Sequence, residues 1–129
     1  MENEKKVLMV VEDEAGLRNV LKDRFLKENF TVLEAENGEE GLELALNKSP
    51  ELIILDLLMP KLDGMMMLKD LRKSGEYGKN VRVIILTNLD ANDKIIHEVT
   101  NTQPTYYLIK SNVKLDEIVE KVKELMNNK

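Results

Sequence analysis

Four apolar runs in this 129-residue chain stop abruptly at side chains that bind protons, cations or oxygen. Lys6 to Val11 runs into Glu12, Asp13 and Glu14, and Leu52-Ile53-Ile54-Leu55 runs into Asp56. Val81 to Leu86 stops at Thr87, and Tyr106-Tyr107-Leu108-Ile109 stops at Lys110. A single such residue is usually a turn or a helix cap. Four together point to a site if the runs are parallel strands, because an open parallel sheet binds its ligands in the crevice at the strands' carboxyl ends. The chemistry is coherent. Crowded carboxylates repel one another unless a cation sits among them, and hard oxygen donors with open positions suit Mg²⁺ or Mn²⁺. A lysine opposite them supplies a point charge for a phosphoryl oxygen, and a threonine hydroxyl donates to another. Asp56, the central carboxylate, would then be the nucleophile that forms an aspartyl phosphate.

The remaining pattern supplies the scaffold for these ends. Leu17, Val20, Leu21 and Phe25 recur at helical spacing between Ala15 and Asn29. Phe30 to Ala35 reads as a second strand. Asn37-Gly38-Glu39-Glu40 resembles a helix start with Asn as N-cap, and Leu42, Ala45 and Leu46 give that helix a buried stripe up to Ser49-Pro50. After Asp56 comes a loop with Pro60 and Asp63-Gly64, then a helix from about Met65 to Lys73. Its Met65-Met66-Met67 triplet is better read as gap-filling beneath a helix than as a metal site. Gly75 and Gly78 bracket a loop. Asn92 to Thr100 is a short helix with Ile95, Ile96 and Val99 on its apolar side. The last helix, Lys114 to Met126, lines up Leu115, Ile118, Val119, Val122, Leu125 and Met126. Five strands thus alternate with five helices, which predicts one doubly wound α/β domain over residues 1–129 with no effector domain.

Composition narrows the function further. The 24 acidic residues outnumber the 19 basic ones, and Lys and Arg are dispersed, so no basic patch for nucleic acid is visible. Two Phe, three Tyr and no Trp leave an aliphatic core, as a Val/Ile/Leu parallel sheet requires. The chain has no cysteine, so disulfides and thiolate metal sites are excluded. No apolar run approaches a membrane span, and the expectation is a cytoplasmic protein. His97 reads as an ordinary residue on a short helix, and the charge run Lys121 to Glu124 as a solvated face.

Val10-Val11-Glu12-Asp13-Glu14, Leu55-Asp56-Leu57-Leu58-Met59-Pro60 with Asp63-Gly64, Leu86-Thr87 and Tyr107-Leu108-Ile109-Lys110 together resemble the response-regulator receiver domain of two-component signalling. The likeness is to its single-domain, chemotaxis-regulator-like form. It implies a flavodoxin-like (βα)5 fold with strand order 2-1-3-4-5, and phosphotransfer to Asp56 from a sensor histidine kinase or phosphotransfer protein. It also implies that Asp13, Asp56 and the main-chain carbonyl of Leu58 hold Mg²⁺, with Glu12 reaching it through water. Thr87 and Lys110 would bind the phosphoryl oxygens, and Tyr107 would be an aromatic switch that turns inward when Thr87 moves. Such a protein is not an enzyme beyond its own phosphorylation and dephosphorylation. Its output surface would be the fourth long helix, fifth strand and last helix, including Ile95, Ile96 and Tyr106. That surface would be presented to a downstream protein by a monomer or a weak phosphorylation-dependent dimer.

The sequence departs from the family pattern at several positions. Ser111 follows Lys110 where proline is usual, Asn88 follows Thr87 where a small residue is usual, and Gln103-Pro104 replaces Gly-Ala. Leu58 and Leu89 flank the expected path of hydrolytic water and cannot orient it, so slow self-dephosphorylation is expected. Three other readings are weaker. An aspartyl-phosphate phosphohydrolase would want an acid at Leu58, a flavodoxin would want a Ser/Thr/Gly cradle where Glu12-Asp13-Glu14 stands, and a degenerate scaffold would lack the acceptor groups.

Overall fold

The computed structural model describes residues 5–59, 63–89 and 93–127, without the side chains of 93–96 and 100. Pro60, Asn92 and the side chains of Ile95 and Ile96 lie outside the described residues. In chain order the elements are β1 (Val7–Val11), α1 (Ala15–Lys27), β2 (Thr31–Ala35), α2 (Gly38–Lys48), β3 (Leu52–Leu55) and α3 (Gly64–Arg72). They continue with α4 (Glu76–Asn80), β4 (Arg82–Thr87), α5 (Asp93–Thr102), β5 (Tyr106–Ile109) and α6 (Leu115–Asn127). A single turn of 3-10 helix, Lys110–Asn112, joins β5 to α6.

The five strands form one sheet in the order β2-β1-β3-β4-β5, and every neighbouring pair is parallel. The alternation of elements predicts this doubly wound sheet, and its strand order is the flavodoxin-like one that the resemblance implies. Both faces of the central strands are covered, so the apolar runs are continuous. Met9, Val11, Ile53, Leu55, Val83 and Ile85 face one side with Ala45, Met67, Leu68 and Leu71. Leu8, Val10, Leu52, Ile54, Ile84 and Leu86 face the other with Leu21, Phe25, Ile118, Val119 and Val122. The period of two along each strand thus divides one core into two layers.

Several helical details differ from the sequence reading. Residues 76–80 form the short helix α4, where the two glycines suggest only a loop. Val20 and Leu46 are exposed instead of buried. In α1 the inward line is Leu21 and Phe25, one helical step from Val20, with Phe25 packed edge-on against Phe30 at 5.5 Å. In α2 the buried line is Gly38, Gly41 and Ala45, small residues that bring the helix close to the sheet. The Asn37 cap is present, its side chain accepting from the Glu40 N–H at 2.8 Å. Of the methionine triplet, Met67 is fully buried and Met66 exposed. His97 is exposed.

Candidate functional site

Parallel pairing fixes where the chemistry-bearing residues lie. Val11 is in register with Leu55, Leu55 with Ile85, and Thr87 with Ile109. The residues just beyond these strand ends therefore share the sheet's carboxyl edge. The main chain extends this order by one residue, since Glu12 N–H donates to Ala35 O at 3.0 Å and Asp56 N–H to Val11 O at 3.1 Å. Glu12, Asp56 and Thr87 are all buried, whereas Asp13 is exposed.

Lys110 joins the two buried carboxylates. Its Nζ donates to Asp56 Oδ2 at 2.8 Å and lies 2.9 Å from Glu12 Oε1. The other Asp56 oxygen, Oδ1, accepts from the Leu58 N–H at 3.1 Å, and Glu12 Oε2 accepts from the Glu14 N–H at 3.1 Å. Burial raises the Glu12 carboxyl above its ordinary range, and the hydrogen bond from Lys110 offsets only part of that rise. For Lys110 burial acts to lower the ammonium, but the bonds to Asp56 and Glu12 prevail and hold it above its usual value. Both carboxylates are thus organised around a positive charge.

Glu12, Asp13 and Asp56 each offer a carboxylate oxygen, and the three lie within 4.8 Å of one another. This all-oxygen set fits a hard divalent cation. Thr87 Oγ1 accepts from the Leu89 N–H at 3.3 Å, and Tyr107 donates its hydroxyl to Leu89 O at 2.8 Å. Tyr107 is half-buried against the core layer containing Val83 and Ile85. The Leu58 side chain is exposed beside Asp56.

Gly64 makes this edge compact. Its N–H donates to Leu57 O at 3.1 Å, and a Cβ there would stand 2.1 Å from the main-chain oxygen of Asp56. Only glycine lets α3 start so close to the end of β3. Asp63 caps that start, its Oδ1 accepting from the Met66 N–H at 2.9 Å.

Two contributors escape the sequence reading. Arg18 on α1 donates to Glu12 O at 2.7 Å and pairs with Glu34 at 3.6 Å, steadying the loop after β1. Its place one turn beyond the acidic loop is the available sequence signal. The second is a bond from the Ser111 N–H to Asn88 Oδ1 at 3.1 Å. It joins two of the positions that depart from the family pattern, and no spacing rule reveals it. No peptide bond among the described residues is cis.

The family model of the response regulator receiver domain matches residues 8–123. The chain belongs to this family. It is a receiver domain of a response regulator, a component of two-component signalling. It is 42% identical over 89 residues to a probable transcriptional regulator, ycf27, of Porphyra purpurea, covering 69% of this chain and 35% of that protein. It is 37% identical over 87 residues to sporulation initiation phosphotransferase F of Bacillus subtilis, covering 67% of this chain and 66% of that protein. The receiver thus spans about a third of the length of the ycf27-type relatives. Among solved structures, the response regulator TrrA of Thermotoga maritima in complex with Mg²⁺-BeF is 33% identical, with a TM-score of 0.77 over 93% of this chain and 98% of that one. A CheY-like receiver of Methanospirillum hungatei aligns with a TM-score of 0.87 at 22% identity over 96% and 95% of the two chains, which speaks for the fold alone.

Proposed function

We propose that this receiver takes a phosphoryl group on Asp56 from a phosphohistidine of a sensor kinase or phosphotransfer protein, and that the modification alters a protein-binding surface. The observation that carries the reading is the Lys110 ammonium shared between Asp56 and Glu12 at the sheet edge, with Asp13 beside them. Glu12, Asp13 and Asp56, with the Leu58 main-chain carbonyl, are the groups that would hold Mg²⁺ or Mn²⁺. When bound, the cation supplies charge neutralisation for the phosphoryl oxygens and the acceptor carboxylate. That TrrA was solved in complex with Mg²⁺-BeF supports a divalent cation as the ligand of such a domain.

In the transfer, an Asp56 oxygen forms the new bond to phosphorus while the phosphorus–nitrogen bond of the donor breaks and its electron pair returns to the imidazole. The Lys110 Nζ, already at Asp56, follows the negative charge onto a phosphoryl oxygen. Thr87 accepts through Oγ1 and keeps its hydroxyl proton to donate to another oxygen. The main contribution of these residues is positioning, since phosphoryl transfer asks for little covalent help from the protein. The domain turns over no substrate beyond its own phosphorylation and dephosphorylation. Leu58 and Leu89 place no polar group for water, so the acyl phosphate is long-lived.

Output runs through α5, β5 and α6. Leu89 accepts from Tyr107 and donates to Thr87, so a shift of Thr87 toward the phosphoryl group reaches Tyr107 in one step. Next to it on β5, Tyr106 is exposed, and the Lys121 ammonium of α6 lies 4.0 Å from its ring centroid. Intact mass after incubation with acetyl phosphate tests the proposal. The expected result is an adduct of about 80 Da, one phosphoryl group, that requires both Mg²⁺ and Asp56. No adduct from either acetyl phosphate or a phosphorylated histidine donor would favour a scaffold that works without phosphorylation.

A further inference from the structure

The pairing of β4 with β5 ends at Thr87 opposite Ile109. Beyond this point β4 runs into Asn88 and Leu89, and β5 into the turn Lys110–Asn112. The residue after Thr87 and the residue after Lys110 are nevertheless tied together, by the Ser111 N–H donating to Asn88 Oδ1 at 3.1 Å. The geometry points to Asn88 as a positioning residue for phosphoryl transfer, whose side-chain carbonyl holds Thr87 and Lys110 in one frame through the Ser111 N–H. This inference rests on the reading of Asp56 as phosphoacceptor.

The physical reason is local. Fixing the peptide that follows Lys110 fixes the direction in which its long, rotamer-rich side chain leaves the backbone. That side chain must reach both Asp56 and Glu12, at 2.8 and 2.9 Å. Thr87 is β-branched and stiff at χ1, so the place of its hydroxyl follows its backbone, one peptide away from Asn88. The tie needs an acceptor at 88 and an N–H at 111, and a proline at 111 would have no N–H. Asn88 and Ser111 are both exposed, so their bond adds little to global stability. Its effect belongs in the alignment of the two groups that meet the phosphoryl oxygens.

The test compares the full chain with Asn88→Ala, Asn88→Asp, Ser111→Pro and the Asn88→Ala/Ser111→Pro double variant. Phosphorylation rates are followed by intact mass over a range of acetyl phosphate at saturating Mg²⁺, and Ser111 amide exchange by NMR. Asn88→Ala should lower the maximal phosphorylation rate constant about three- to tenfold with the half-saturating donor concentration unchanged, the span an ordinary net hydrogen bond supplies, and should speed Ser111 exchange. Asn88→Asp, which restores an acceptor, should recover most of the rate. In the Ser111→Pro background Asn88→Ala should change nothing further. Asn88→Asp and the exchange measurement decide the matter even if Ser111→Pro fails to fold. Equal effects of Asn88→Ala in both backgrounds, or an unchanged or faster rate with Ser111 exchange released, would overturn the inference while leaving the phosphoacceptor reading intact. A parent chain that takes no phosphoryl group, although Asn88 protects the Ser111 amide, would overturn both.

Discussion

Two basic side chains anchor opposite ends of the sheet through opposite kinds of partner. At the carboxyl end Lys110 is held by two carboxylates. At the amino end Arg72 donates to five main-chain carbonyls, Thr102 and Gln103 at 2.7 and 2.8 Å, Gly78 and Val81 at 2.9 and 2.8 Å, and Lys79 at 3.5 Å. Those carbonyls belong to the ends of α4 and α5 and to the start of β4. Burial pushes the Arg72 guanidinium below its usual value, and its partners are neutral. The carbonyl cage has no charge that another ion can take over, so it is a permanent joint. The Lys110 cluster holds the same kind of cation with carboxylate partners that could also hold a metal ion. Rigidity has been placed at one end and exchangeable charge at the other.

Replacing the permanent joint should have the largest effect. Arg72→Met leaves five carbonyls without their donor and should cost about 2–4 kcal/mol in urea unfolding, with no response to Mg²⁺. Lys110→Met should cost somewhat less, about 1–3 kcal/mol without divalent cation, because the buried Glu12 carboxyl, already raised by burial, can take up a proton once its ammonium is gone. The two carboxylates left without their cation should then make the Mg²⁺-induced rise in Tm larger than in the parent chain. Equal Mg²⁺ shifts in the parent, Lys110→Met and Arg72→Met would erase the contrast between the two ends.

Lifetime should move by a smaller amount. Leu58→Asn or Leu89→Glu supplies a polar group for water and should speed loss of the phosphoryl group about three- to tenfold, read as decay of the mass adduct. The smallest effect belongs to a surface ion cluster at the α1–β2 junction. Hydrogen bonds from Lys123 and Arg24 hold the Glu28 carboxyl below its ordinary value of 4.5. A lowered carboxylate contributes stability that is present above 4.5 and lost as pH falls through the folded value. Glu28→Gln should therefore lower the urea midpoint slightly near neutrality, and the two curves should converge in acid.

Much of the carboxyl edge was legible because strand ends announce themselves. An apolar run that stops at Asp56 or Lys110 states both the strand and its terminus, and parallel pairing does the rest. Asn37 capping α2 was readable for the same reason, as a local rule. Val20 and Leu46 were misread because helical spacing alone does not say which of two adjacent stripes meets the sheet. Gly38, Gly41 and Ala45 decide this for α2 by allowing close approach. Arg72 and the Asn88–Ser111 bond were illegible for a different reason. Each satisfies main-chain groups distant in sequence, 30 residues away between Arg72 and Thr102 and 23 between Asn88 and Ser111, and no periodicity encodes such partners.

Location of the phosphoryl group tests the central claim most directly. The chain is treated with acetyl phosphate and Mg²⁺, the acyl phosphate is reduced with borohydride, and peptides are mapped by mass. The account predicts one reduced residue, at position 56, absent without Mg²⁺. Label on His97, on a carboxylate other than Asp56, or on Asp56 regardless of divalent cation would contradict it.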